Sequence, residues 1–202
     1  MNKLPFSKNI TWHGGKITPA QRNAYFRHKA ATIWLTGLSG AGKSTIAFEL
    51  ERALFQSGHA CTVLDGDNVR QGLNRDLGFS PHHRTENIRR IAEVAKLFND
   101  AGIFVISAFI SPYRADRDMA REVIGQDNFI ETWLNTDIAV CEERDPKGLY
   151  KKARSGNIQN FTGVSAPYEA PLAPALRLDT AVLTLLESLA EINKLIALRF
   201  IE

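Results

Sequence analysis

The chain has 202 residues, 25 Lys+Arg against 22 Asp+Glu for a net charge of +3, 44% hydrophobic residues and 23% charged ones. These values suit one globular domain and exclude wholesale disorder, a collagen-like chain and a disulfide scaffold. The charge is too small to argue for nucleic acid as a partner, the longest apolar run, near residues 103–110, falls far short of the ~20 residues of a membrane span, and no apolar segment near Met1 reads as a secretory signal. The expectation is a cytoplasmic protein, with no membrane partner, whose Cys61 and Cys141, both in apolar contexts, are reduced and buried.

Residues 1–31 read as a polar lead-in containing Pro5, Gly14, Gly15 and Pro19, and residues 32–202 as the folded domain. Ile33–Thr36 is a short strand stopped by Gly37. Lys43–Phe55 has helical periodicity, with Ile46, Leu50, Ala53 and Leu54 on one face, and Ser57-Gly58 ends it. Cys61–Leu64 is a second strand. Thr85–Ala101 is a helix with the stripe Ile88, Ile91, Ala92, Ala95, Phe98, and Gly102 fits its C′ position. Ile103–Ala108 is a third strand, and Pro112 opens a helix to about Ile124. Phe129–Leu134 is a fourth strand, Leu176–Leu178 a short fifth, and residues 181–200 a closing helix. Strands alternating with helices imply crossover connections and a mostly parallel, five-stranded sheet covered by helices on both faces. Arg144–Pro174 breaks this rhythm. Rich in Gly, Pro, Lys and Arg, it reads as a long mobile loop with a short helix inside, and loops of that length are usually functional.

Gly37-Leu38-Ser39-Gly40-Ala41-Gly42-Lys43-Ser44 matches G-x-x-x-x-G-K-[ST] at every fixed position, after a strand and before a helix. Glycines let backbone N–H groups converge on a phosphate, and the helix N-terminus adds partial positive charge. Lys43 is placed to reach the β- and γ-phosphates of a nucleotide, and the Ser44 hydroxyl to ligate Mg²⁺. The second strand runs into Asp65-Gly66-Asp67 at the strand end where open α/β sheets bind ligands. Two carboxylates there suit metal organisation, assigned mainly to Asp65, and general-base work on an acceptor hydroxyl, assigned to Asp67. Of the following arginines, Arg89 and Arg90 fit a solvated helix face. Arg70 and Arg84 stand outside or at the edge of the helical stripe and suit forks for an anionic acceptor. Lys147, Lys151, Lys152 and Arg154 form a basic stretch that either closes over that acceptor or is a solvated face.

Gly37–Thr45, Asp65–Arg70, Gly78-Phe79-Ser80 with Arg84 and Glu86–Arg90, Phe109–Pro112, Arg144–Lys151 and Phe161-Thr162-Gly163 together resemble adenylylsulfate kinase, as does the leading Trp12-His13. The phosphate loop is shared by a superfamily, whereas the later blocks in this order are specific, and the resemblance runs from about Asn9 to the last helix. It implies a three-layer P-loop kinase fold with a mobile lid over about residues 144–174. The implied reaction takes ATP and adenosine 5′-phosphosulfate to ADP and 3′-phosphoadenosine 5′-phosphosulfate, with Mg²⁺. It also implies a homodimer, functionally coupled to a separate ATP sulfurylase. Carried over by position, Gly37–Ser44, Thr45 and Arg144 hold ATP, and Asp67 and Arg70 touch the sulfonucleotide. Phe79 stacks on its adenine with Phe161 on the other face, Arg84 and Asn87 take its phosphosulfate and sugar side, and Ile110 and Ser111 line the same site. Lys147 enters from the lid, and the counterpart of Ser111 is described in bacterial members as a phosphoserine intermediate. The residues themselves leave Ser111 between two roles, an N-cap before Pro112 and a nucleophile. Two positions depart from the family's pattern: Asn160 stands where Gly is usual, and Val164-Ser165 where Ile-Asp is usual, which bears on the lid's hinge and nucleotide contacts.

Three other readings have definite signatures. Another small-molecule kinase, for a nucleotide or a sugar acid, would show a different acceptor pocket from the Phe79 and Phe161 pair. A GTPase-like switch would need Asn-Lys-x-Asp, but Asn2-Lys3 and Asn193-Lys194 are followed by Leu-Pro and Leu-Ile. A non-catalytic regulator is disfavoured by the intact Lys43, Ser44, Asp65 and Asp67.

Overall fold

The computed structural model describes Thr11 and residues 13–201; Trp12, half of the N-terminal part of the resemblance, lies outside them. Five strands run in chain order: β1 (Thr32–Thr36), β2 (Cys61–Asp65), β3 (Phe104–Ala108), β4 (Phe129–Leu134) and β5 (Leu176–Leu178). They form one sheet in the order β2-β3-β1-β4-β5, parallel at every pairing. The expected mostly parallel sheet is therefore wholly parallel among the described residues.

Alternation within the strands builds two cores, because successive side chains leave a strand on opposite faces. Ile33, Leu35, Phe104 and Ile106 face one layer, packed with Ile46, Leu50 and Leu54 of α2 (Lys43–Gln56) and Leu189, Ile192 and Ile196 of α8 (Leu185–Phe200). Trp34, Val105 and Phe129 face the other, against Ile88, Ile91, Ala92 and Ala95 of α4 (Pro81–Asp100) and Ala120 and Ile124 of α5 (Arg114–Ile124). Trp34 is wholly buried, its ring 6.1 Å from Phe109 and 5.5 Å from Phe129 by centroid. Truncating such a side chain typically costs about 3–5 kcal/mol.

The lead-in contains α1 (Pro19–Phe26), started by a capping box between Thr18 and Gln21. It ends against Gly102, where a Cβ would lie 2.7 Å from the Phe26 ring. The chain then enters β1 through His28, which is fully buried and stacked on Phe104 at 4.4 Å. Short helices α3 (Gly66–Val69), α6 (Ile138–Arg144) and α7 (Leu149–Arg154) surround the carboxyl edge of the sheet. Of the cysteines, Cys141 is buried as expected, while Cys61, on edge strand β2, is only half-buried; both are free.

Several boundaries move. α4 begins at Pro81 rather than Thr85, because Ser80 caps it by accepting the His83 N–H at 3.4 Å and Pro81 occupies its first turn. The helix expected from Pro112 starts instead at Arg114, and its N-cap is Tyr113, with no side-chain cap. Ser111 is therefore not an N-cap; it sits in the left-handed region at φ +39°. The long loop contains the short helix expected in it, α7, but is packed more firmly than a mobile loop: Tyr150, Ala153 and Phe161 belong to the main core.

Candidate active site

β1 lies between β3 and β4, where the order of connection reverses, so the crevice beyond its carboxyl end is the natural ligand site of the sheet. A cavity of about 900 Å³ occupies it. One wall is the loop Gly37–Gly42. At Gly40 the backbone has φ +79°, and a Cβ would meet the Cys141 carbonyl oxygen at 2.7 Å. Gly37 is equally constrained: a Cβ there would lie 2.6 Å from the Leu134 carbonyl oxygen. Only glycine fits either place. α2 then starts at Lys43 with Gly42 as an uncapped N-cap at φ +94°, leaving its first N–H groups turned to the cavity edge for an anion.

Lys43 is 9% exposed, and its Nζ donates to the Gly37 and Leu38 carbonyls at 2.9 and 2.7 Å. Burial pushes its pKa down to about 8. The next residue, Ser44, donates from Oγ to Asp65 Oδ2 at 2.7 Å, and Asp65 Oδ1 accepts the Asp67 N–H at 3.0 Å. A hydroxyl and a carboxylate thus meet beside the phosphate loop, a set of hard oxygen donors that fits Mg²⁺ better than a soft metal. Among the described residues no group of three or more His, Cys, Asp or Glu gathers as a metal centre.

The opposite wall holds the expected acceptor residues. Asp67 is exposed and ion-paired with Lys147 of the lid. The Phe79 ring, 60% exposed, is covered by two guanidiniums, with Arg70 Cζ 4.4 Å and Arg84 Cζ 5.8 Å from its centroid. Arg70 is anchored on the Leu77 and Gly78 carbonyls at 2.8 and 3.1 Å. Arg84 reaches the Phe79 carbonyl at 3.0 Å and the Asn160 carbonyl at 2.7 Å. Asn87 is buried and accepts from Asn74 Nδ2 at 3.0 Å. Phe161 is 8% exposed and meets Tyr150 edge-on at 5.0 Å. Ile110 and Ser111 complete the cavity, and Ser111 Oγ accepts the Trp34 Nε1–H at 3.2 Å. Arg89 and Arg90 stay on the outer face, paired with Glu86, Glu93 and Asp76.

All the expected site residues therefore border this one cavity except Gly37, Leu38 and Ala41, which shape the loop behind it. Thr180 joins them without a motif to announce it. Its hydroxyl donates to the Ala41 carbonyl at 3.0 Å and accepts from Arg144 Nη1 at 2.8 Å, fixing Arg144 against the phosphate loop. The one hint is its place two residues past β5, at a strand's carboxyl end. The lid departures have local explanations. Asn160 has φ +55°, a conformation asparagine tolerates next best to glycine, and Ser165 Oγ accepts the Phe161 N–H at 3.0 Å, closing the lid turn with a hydroxyl.

Residues 29–179 match the family model for adenylylsulphate kinase. The chain belongs to that family. It is 56% identical over 186 residues to the adenylyl-sulfate kinase of Staphylococcus haemolyticus, covering 92% of this chain and 94% of the relative. It is 58% identical over 174 residues to that of Bacillus licheniformis, covering 86% and 88%. Among solved structures, the Mycobacterium tuberculosis APS kinase in complex with AMPPNP and APS superimposes with a TM-score of 0.80 at 46% identity, over 83% of this chain and 97% of that one. A gluconokinase from Sinorhizobium meliloti, 18% identical with a TM-score of 0.56 over 84% of this chain and 95% of that one, shares the fold alone. The segment expected as a lid lies against both walls of the cavity. Tyr150 donates from its hydroxyl to the Ser39 carbonyl at 3.0 Å, and Lys147 reaches Asp67.

Proposed function

We propose that this protein transfers the γ-phosphoryl group of ATP to the 3′-hydroxyl of adenosine 5′-phosphosulfate. The observation that carries the reading is the meeting, in one cavity, of a phosphate loop and an acceptor wall with two arginines, an exposed aromatic ring and a carboxylate. It is supported by a 46% identical relative that holds an ATP analogue and APS together. Gly37–Thr45 cradles the ATP phosphates by backbone N–H groups and the α2 terminus, and Arg144 borders the same half. Lys43 leaves its loop carbonyls for the β- and γ-phosphates, stabilising charge that builds as the phosphoryl group moves. Ser44 and Asp65 would hold Mg²⁺, which would supply positive charge against the ATP phosphates. Asp67 accepts the proton of the 3′-hydroxyl and aims its oxygen. Arg70 and Arg84 take the phosphosulfate side, with Asn87 toward the sugar. Phe79 and Phe161 take the adenine, and Ile110 and Ser111 wall the pocket. Lys147 and the lid close over the site and exclude water from the reacting phosphoryl group. Transfer is direct, and Ser111 is not an obligatory phosphoserine intermediate: among the described residues the hydrogen-bond partners of its hydroxyl are the Trp34 Nε1–H, from which it accepts, and the Phe109 carbonyl, to which it donates, and neither is a base.

A cytoplasmic setting accords with two free thiols; among the described residues no helix is long and apolar enough to cross a membrane. Self-association, expected as a homodimer, is supported by the hexameric description of the Thiobacillus denitrificans relative, 32% identical. The acceptor is a mixed sulfate–phosphate anhydride, so a reaction that forms that anhydride at the cost of a nucleoside triphosphate must supply it, which supports the expected coupling to an ATP sulfurylase. ADP release, measured with and without adenylylsulfate, tests the reading. ADP should form only when the sulfonucleotide is present and should not be supported by gluconate or AMP; release indifferent to the acceptor would sink it.

A further inference from the structure

The acceptor wall depends on an unusual piece of backbone whose support lies outside the cavity's chemistry. Ser111 is 2% exposed and held at φ +39°, a region a serine enters only when its surroundings enforce it. Its carbonyl accepts from Arg117 Nη1 at 2.6 Å. The same guanidinium, 1% exposed, donates from Nη2 to the Glu169 carbonyl at 2.6 Å and from Nε to Glu131 Oε1 at 2.8 Å. Glu131 Oε2 is held in turn by Arg121 at 2.6 Å. One planar fork therefore joins the acceptor loop, the returning end of the lid and strand β4. The seam is reinforced beside it. The Glu169 N–H donates to the Pro112 carbonyl at 2.8 Å, the Glu169 carboxylate accepts the Arg114 N–H at 2.8 Å, and Tyr168 shares a 3.0 Å hydrogen bond with Thr36, whose hydroxyl donates to the Ile110 carbonyl at 2.8 Å.

We propose that Arg117 is a positioning residue for the acceptor half of the site, locking the Ser111 turn and the end of the lid together onto strand β4 so that the pocket wall keeps its shape; this rests on the reading that this half holds the sulfonucleotide. A buried ion pair with Glu131 alone needs only a charge, which lysine supplies. Three acceptors in three directions need the fixed fork of arginine. Glu131 sets the plane of the guanidinium, and two of its remaining N–H groups then point at the two carbonyls. Without the fork, Ser111 relaxes from the left-handed region and the acceptor wall shifts. The phosphate loop, built from β1, α2 and Thr180, keeps its own supports.

The test is steady-state kinetics of the full-length wild type and Arg117→Lys, with both substrates varied. The expected result is a fall of about 10–100-fold in kcat/KM for adenylylsulfate, the size of effect that misplacing a bound substrate produces. KM for ATP and the stoichiometry of ATP-analogue binding should stay within about two-fold. Equal losses for both substrates would mean a merely structural residue and overturn the proposal, as would an unchanged kcat/KM for adenylylsulfate. If Arg117→Lys does not fold, Glu131→Gln is read in the same way. It keeps an acceptor for Nε but withdraws the charge that aims the fork, and loss confined to the sulfonucleotide supports the proposal while equal or absent loss overturns it. A wild type inert toward adenylylsulfate would overturn both this inference and the functional reading; an active wild type with an indifferent variant overturns this inference alone.

Discussion

Lys43 carries its function at a cost to the fold. Its ammonium is buried with only two carbonyls as partners, and burial lowers its pKa to about 8 from the ordinary 10.5. The unfolded chain therefore binds more protons than the folded one between those values. The burden is full below pH 8 and fades as the pH rises toward 10.5. Lys43→Met should leave the ligand-free protein at least as heat-stable as the wild type at pH 7, with the gap narrowing at pH 9.5, while turnover falls 10³-fold or more through lost charge stabilisation. Thermal unfolding at the two pH values, beside an activity assay, checks this; a clearly lower Tm for the variant at pH 7 would contradict it. Asp67 is the reverse case, since its ion pair with Lys147 is exposed and such pairs contribute only about 0–1 kcal/mol. Asp67→Asn should hardly change stability yet lower kcat far more than it raises KM for adenylylsulfate. A raised KM with unchanged kcat would reduce Asp67 to a binding contact. At this scale the motif-bearing residues were legible because their chemistry is local: a strand, a glycine turn and a helix start fix Lys43 and Ser44 within eight residues. Thr180 and Arg117 were not. Each acts on partners distant in the chain, Ala41 and Glu131 among them, and neither carries a local pattern.

Two Ser-Pro pairs show where local rules stop. Ser80-Pro81 starts α4 as an N-cap and first turn should. Ser111-Pro112 has the same chemistry, but Trp34 donates to its hydroxyl and Arg117 takes its carbonyl, so the chain turns left-handed and α5 waits until Arg114. Tertiary hydrogen bonds from 77 and six residues away outweigh a cap ordinarily worth about 1 kcal/mol. The lid mixes both behaviours. Its basic helix α7 lies between Gly148 and Gly156, both at positive φ with open space around them, which suits hinges. Its inner face, Tyr150 and Phe161, is core. Opening must therefore undo a packed surface, and ligands should oppose it. Limited trypsin digestion at Lys151, Lys152 and Arg154 should slow at least several-fold when ADP and adenylylsulfate are added together; cleavage indifferent to ligands would remove the lid from the mechanism.

For the whole molecule, strand and helix alternation was enough to foresee a parallel sheet covered on both faces, because each βαβ crossover is a local chain event. The strand order is not local. It places β3 and β4 on either side of β1, and that arrangement creates the crevice in which the phosphate loop, Asp67 and the lid converge. In the proposed reaction this crevice moves one phosphoryl group directly from ATP to a ribose 3′-hydroxyl. The most direct test is to run the reaction with ATP made chiral at its γ-phosphorus by oxygen isotopes and to analyse the sulfonucleotide product by ³¹P NMR. Direct transfer predicts one new phosphomonoester, on the 3′-oxygen, with inverted configuration. Phosphate released to water or attached elsewhere, or retained configuration at the 3′-position, would contradict it.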